Sequence, residues 1–299
     1  MPLTKVVVIG GGYAGALAAN HLRMRDDVEI TLVNPRPEFV ERVRLHQFVA
    51  GTGQATVDYA TLLGEGVRLA VDTAAAIDAA GRTVRLGSGR TLGYDYLVYA
   101  VGSGTPVPEH AYGIADLESA RRLRDRLAEL PGRAPVTVVG GGLTGIETAA
   151  ELAERGRRVT LVCGSGLAPT FSPGARKAMA RWLARHGVAV LEGVKATDVG
   201  AEEVALSGGS SVASAATIWA GGFAVPGLAA GSGLRTDEAG RLLTDETLTS
   251  VDDERIVAAG DAAAPSGRAL RMSCYAAGPL GAQAANTVLS RIAGNEPAV

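Results

Sequence analysis

Two sets of three glycines carry the clearest chemical signal in the sequence. Gly10, Gly12 and Gly15 are spaced G-x-G-x-x-G, and Gly140, Gly142 and Gly145 repeat that spacing. A loop of this kind ahead of a helix delivers a dinucleotide pyrophosphate to free N–H groups at the helix N-terminus, where the helix dipole favours negative charge. In each set the first glycine permits the tight turn, the second lets backbone approach phosphate without a Cβ, and the third lets the helix pack on the strand. A single triplet is weak, because a glycine-rich loop without a ligand shows it too. Two copies in matching context make two nucleotide sites the economical reading.

The glycines need a strand and a helix to position them, and the flanking sequence supplies both. Val-Val-Val-Ile-Gly-Gly-Gly-Tyr-Ala-Gly over residues 6–15 recurs as Val-Thr-Val-Val-Gly-Gly-Gly-Leu-Thr-Gly over 136–145. Each copy passes from a short apolar strand through the loop into a helix-period stretch ending near Arg25 or Arg155. A second apolar strand follows at 28–33 or 159–162, and both contain Thr-Leu-Val. These are two βαβ openings. An acid ordinarily closes the second strand and bonds the adenosine ribose, yet here Asn34 and Cys163 stand in that place. The Asn34 amide still offers hydrogen bonds to a ribose hydroxyl, without the charge that strengthens them. After Cys163 come Gly164 and Ser165, with no Arg to clamp a 2′-phosphate. NADH and NADPH both remain open.

Between and beyond the repeats, residues 67–92 alternate short apolar stretches with Gly-containing turns and read as a small antiparallel excursion. Residues 94–104 form a buried strand ending in glycines, and 216–222 mirror it. Helices are expected over 116–130 and 173–186, with a strand at 188–191. Residues 255–261 lead into an apolar helix from about Met272 to Ile292.

Composition narrows the classes. At 299 residues the chain suits two domains. Its 47% hydrophobic and 20% charged residues are those of a folding chain, not a disordered one. With a net charge of -2 and no Lys or Arg run, nucleic acid is not an expected partner. Cys163 and Cys274 are the two cysteines, which excludes a disulfide scaffold, a four-cysteine zinc site and a CxxC redox pair. No metal is expected. A cytoplasmic, reducing compartment is the default, and no segment reaches the ~20 apolar residues of a membrane span.

Four motifs in order then resemble the pyridine nucleotide-disulfide oxidoreductase flavoproteins: the first glycine loop, Leu97-Val-Tyr-Ala-Val-Gly-Ser103, the second loop with Glu147 beyond it, and Ile256-Val-Ala-Ala-Gly-Asp261. Without a CxxC, the chain is most similar to the branch of type II NADH dehydrogenases, apoptosis-inducing factors and ferroptosis suppressors. Met272-Ser-Cys-Tyr-Ala-Ala-Gly278 and Asn286 are most similar to the ferroptosis-suppressor type. The resemblance implies an α/β fold of two Rossmann-like dinucleotide-binding domains of the three-layer ββα type. The NAD(P)H-binding domain, 113–225, is inserted in an FAD-binding domain made of 1–112 and 226–299.

It also implies site residues. Gly10, Gly12, Tyr13, Ala14, Gly15, Asn34, Arg42, Ala74, Gly102, Gly260, Asp261 and Ala276 would contact FAD, and Gly140, Gly142, Thr144, Gly145, Cys163 and Gly222 the nicotinamide nucleotide. Asp261 would accept hydrogen bonds from the ribityl chain; its bland alternative is a surface turn. The helix from Met272 would aim its N-terminus at the pyrimidine end of the flavin, where it and Arg271 would stabilise negative charge; the alternative is a solvated Arg271. Tyr275 joins Arg271 and Glu147 as the catalytic candidates. Glu147 would lie beside the nicotinamide, or else is a helix-surface carboxylate. Arg42, Arg44 and His46 would line the flavin's approach, or else form a charged loop in water. Cys274 reads as a small core residue.

The function this implies is an FAD-dependent oxidoreductase that takes hydride from NADH or NADPH and passes electrons to a small, quinone-like acceptor. Such chemistry needs stacking and exclusion of water more than acid or base groups. Related flavoproteins carry a further domain after the last helix, where this sequence stops, so that domain is expected to be absent or truncated. Peripheral contact with the inner face of a membrane stays open on the resemblance, as does oligomeric state. Two other readings stand beside it: a flavin-dependent tailoring enzyme for a small organic substrate, and an NAD(P)H-responsive redox sensor.

Overall fold

The computed structural model describes residues 3–266 and 270–299. The chain divides into two compact units, one of Met1–Val40, Thr56–Gly104 and Phe223–Val299, the other of Glu41–Ala55 and Thr105–Gly222. It leaves the first unit at Gly104 and returns at Phe223. Gly104 and Ala224 pair there as an antiparallel bridge, N–H to O distances 2.7 and 2.9 Å.

Each unit is built on a five-stranded parallel sheet. In the first the order is Ile256–Ala258, Tyr96–Tyr99, Thr4–Ile9, Val28–Asn34, Val67–Val71. In the second it is Ala111–Gly113, Ala216–Trp219, Pro135–Val139, Arg158–Cys163, Ala189–Glu192. The central strands are almost wholly apolar because parallel sheets are covered on both faces: Val6, Val7, Val8 and Ile9 are buried, as are Val136, Val138 and Val139.

A three-stranded antiparallel sheet follows the parallel strand Val67–Val71 in the first unit and Ala189–Glu192 in the second. Ala74–Asp78, Thr83–Leu86 and Thr91–Gly93 form the first, and Ala196–Val199, Glu203–Leu206 and Ser211–Ala213 the second. The repeat therefore extends well past the βαβ openings. It also corrects the reading of 67–92: the antiparallel part begins at Ala74, and Val67–Val71 belongs to the parallel sheet, in register with Ile30 to Asn34.

The two glycine-loop helices are Tyr13–Leu22 and Leu143–Glu154. The first stops before Arg25, which instead holds Asp27 in the turn by two hydrogen bonds of 2.8 and 2.6 Å. It packs against Cys274–Ile292, with Ala14, Ala18, Ala19 and Leu22 in one core with Ala284, Ala285 and Val288. The approach is close enough that a Cβ on Gly281 would lie 2.3 Å from the Ala14 carbonyl oxygen. In the second unit, the helix Leu45–Ala50 packs on both Leu117–Glu129 and Leu143–Glu154.

Candidate dinucleotide-binding sites

Gly10 sits at φ +98°, and a Cβ there would lie 2.3 Å from the Ala100 carbonyl oxygen. A Cβ on Gly15 would be 1.8 Å from the oxygen of Gly10. Packing and backbone conformation thus require the first and third glycines. Gly12 differs, since a Cβ there would meet nothing within 4 Å. It caps the helix Tyr13–Leu22 without any side-chain hydrogen bond, so the opening N–H groups have no side-chain cap beside an open face. The second loop repeats this. Gly140 has φ +132° with a Cβ position 2.9 Å from the Ala220 oxygen, Gly145 would collide with Gly140 at 1.9 Å, and Gly142 faces open space. Both loops have the helix N-terminus without a side-chain cap and the room that a pyrophosphate requires.

The residues behind the loops differ. In the first unit, Asn34 Oδ1 accepts the Gly11 N–H at 3.0 Å while Nδ2 donates to the Arg36 carbonyl at 2.9 Å. Tyr59, which lies outside any motif, donates its hydroxyl to the Gly11 carbonyl at 2.5 Å, and burial pushes its phenol well above the ordinary value. Phe39 packs edge-on between Tyr13 and Tyr59. In the second unit Cys163 is fully buried against Gly141, whose Cβ position is 2.9 Å from Sγ. Burial, and then the Glu192 charge, push its thiol up to about 11. The Ala168 N–H donates to the Gly141 carbonyl at 2.8 Å.

Asp261 joins two parts of the first unit. Ser103 donates its hydroxyl to Oδ2 at 2.6 Å, and the Ser273 N–H donates to Oδ1 at 2.9 Å. Ser273 is itself the cap of the helix Cys274–Ile292, accepting the Ala276 N–H at 3.2 Å. The Asp261 carboxylate therefore ties the glycine end of the strand Tyr96–Tyr99 to that helix N-terminus. Gly260, at φ +66°, leaves only 2.8 Å between its Cβ position and Ala14. Arg271 is exposed and Tyr275 is 92% exposed at the same helix start. Gly102 and Gly222, both at positive φ with open space around them, end corresponding strands of the two sheets, and Ala74 opens its antiparallel strand.

Thr144 and Glu147 lie exposed in the first turns of Leu143–Glu154. The segment 41–55 brings His46 to that helix, with Nδ1 4.0 Å from Glu147 Oε2; Glu147 is 50% exposed and His46 11%. The same segment is held by Thr52 donating to Glu151 at 2.9 Å and by Arg124 over the Phe48 ring at 4.3 Å. Arg42, Arg44 and His46 thus sit with the second unit. Sequence reasoning missed Tyr59, Ser103, Arg176 and Glu192. The one available signal was for Ser103, which closes the motif Leu97-Val-Tyr-Ala-Val-Gly-Ser103. Among the described residues no cluster of His, Cys, Asp or Glu is arranged to hold a metal ion, and no helix is long and apolar enough to cross a membrane.

Two uncapped glycine-loop helices on two matching parallel sheets define a protein with two dinucleotide sites. The model of the pyridine nucleotide-disulphide oxidoreductase family matches residues 4–285, and the chain belongs to that family. It is 31% identical over 325 residues to an NADH dehydrogenase-like protein of Mycobacterium tuberculosis, covering 96% of this chain and 80% of the relative. It is 26% identical to that organism's type II NADH:quinone oxidoreductase, over 98% of this chain and 74% of the relative. An NAD-dependent persulfide reductase from A. fulgidus superposes with a TM-score of 0.83 at 24% identity, over 95% of this chain; the chain spans 59% of that structure's length. The protein is an oxidoreductase, and its cofactors are FAD and NAD(P)H.

Proposed function

We propose that this oxidoreductase transfers reducing equivalents from NAD(P)H through FAD to a small quinone-like acceptor. The first unit would hold FAD and the second NAD(P)H. The observation that carries this is the pairing of two open glycine loops with one asymmetric feature: among the described residues, only the first unit adds the Ser103–Asp261–Ser273 clasp, which fixes a second helix N-terminus beside its loop. An extended cofactor held at both ends suits that unit, and a nucleotide that comes and goes suits the other. FAD, when bound, supplies the two-electron relay between nicotinamide and acceptor.

The chain's own residues bind and orient. The amides beyond Gly12 and Gly142 take pyrophosphate, and Asp261 holds the loop at Ser103 against the helix Cys274–Ile292. Glu147, steadied by His46, orients the nicotinamide. Arg271 and Tyr275, exposed where that last helix begins, face the acceptor. The likeness to a quinone oxidoreductase motivates the acceptor class and a cytoplasmic enzyme with peripheral contact at the membrane's inner face. Anaerobic mixing of the purified yellow protein with NADH and with NADPH, followed by a short-chain quinone, tests the proposal. Bleaching by a nicotinamide and recovery of colour on adding quinone are expected; a flavin that neither donor bleaches would overturn it.

A further inference from the structure

The place where an acid would meet the adenosine ribose of a nicotinamide nucleotide is occupied by Cys163, sealed in the core. The neighbouring strand brings another carboxylate to the same side. Cys163 and Glu192 are register partners in the parallel sheet, and such partners direct their side chains to the same face. The Cys163 side chain is aimed at Gly141 of the glycine loop, so Glu192 leaves its strand on the glycine-loop face with a longer reach. Its Oε2 accepts the Leu167 N–H at 2.8 Å and lies 3.5 Å from Arg176 Nη2. Arg176 Nε donates to the Leu167 carbonyl at 2.8 Å. A Cβ on Gly166 would be 3.3 Å from both charged groups. Carboxylate and guanidinium therefore bracket the loop that follows the second strand, and both stay accessible at 46% and 41% exposure. In the first unit the residue partnering Asn34 at this register is Val71, which carries no charge.

Resting on the reading that the second unit binds NAD(P)H, we propose that Glu192 selects NADH over NADPH. Its carboxylate, delivered from the strand Ala189–Glu192, stands in for the acid missing at Cys163 and repels a 2′-phosphate. Arg176 is held as its counter-ion and so is kept from receiving that phosphate. Charge at this distance acts in high dielectric, so the preference shrinks as salt rises.

The test is calorimetric titration of the FAD-loaded enzyme with NAD⁺ and with NADP⁺, which reads binding without turnover. Wild type is expected to favour NAD⁺. Glu192→Gln should move the ratio of dissociation constants toward NADP⁺ by on the order of tenfold, and Glu192→Asp should restore part of the preference. Adding Arg176→Ala to Glu192→Gln should remove the gain for NADP⁺. Arg176→Ala alone, which leaves the carboxylate unscreened, should widen the preference for NAD⁺ even if Glu192→Gln does not fold. A wild type that favours NADP⁺, or a ratio unmoved in Glu192→Gln or Arg176→Ala, overturns the inference while leaving the proposed function intact. Binding of neither nucleotide overturns both.

Discussion

The two glycine loops have nearly the same backbone and are supported by different means. Around Gly11 the support comes from side chains, with Asn34 accepting from its N–H and Tyr59 donating to its carbonyl. Around Gly141 it comes from main chain and packing, with the Ala168 N–H on its carbonyl and the Gly166 oxygen and Cys163 pressed against it. The outer glycines are fixed by steric limits that both copies share. Residues behind the loop are free to diverge, and on the proposed function they would carry the difference between a tightly held cofactor and an exchanging one.

The largest expected effect comes from breaking the shared part unequally. Gly10→Ala forces a positive φ and a 2.3 Å approach to Ala100, whereas Gly140→Ala meets Ala220 at 2.9 Å. Left-handed strain of about 1–2 kcal/mol applies to both, and overpacking of about 1–3 kcal/mol falls mainly on Gly10→Ala. Thermal melts with flavin absorbance should show Gly10→Ala colourless and markedly destabilised, and Gly140→Ala yellow and milder. Next is Asp261→Ala, which removes two hydrogen bonds to a charged group, worth about 1.5–3 kcal/mol each. Flavin dissociation on dilution should rise sharply, with NAD⁺ affinity unchanged.

A smaller effect is expected for Tyr59→Phe, which loses one bond of about 1 kcal/mol and should weaken flavin retention alone. The smallest concerns Cys163. Its thiol keeps its proton up to about 11 in the folded protein, while an ordinary thiol loses it near 9. Between those values the unfolded chain binds fewer protons, so stability contributed by the buried thiol is present below the lower value and declines as pH rises toward the upper. Denaturant midpoints across that window should fall less steeply in Cys163→Ala.

Both βαβ openings were legible because their glycines answer to local geometry: a turn at positive φ, and a helix pressed on its own strand. Asp261 was singled out through the resemblance, and its bonds to Ser103 and Ser273 appear only once the chain folds. The rest depends on register and on distant partners. Val67–Val71 was mistaken for antiparallel structure because its short apolar run carries no mark of the strand it joins. The sheet spanning 196–213 gave no distinct signal. Nothing in 41–55 announces that it packs on the helices Leu117–Glu129 and Leu143–Glu154. Glu192 acquires meaning only once the sheet sets it beside Cys163, and Tyr59 only once the chain returns to Gly11.

On the proposed function, one repeated unit has become two sites with separate cargo. The most direct measurement is the visible spectrum of wild type and of Gly142→Val, before and after anaerobic NADH and NADPH, with the released flavin identified after denaturation. One FAD per chain is expected in both proteins, with bleaching in wild type and little in Gly142→Val, whose side chain would fill the open face of the second loop alone. Loss of FAD in Gly142→Val while it remains folded, or undiminished bleaching, would contradict it.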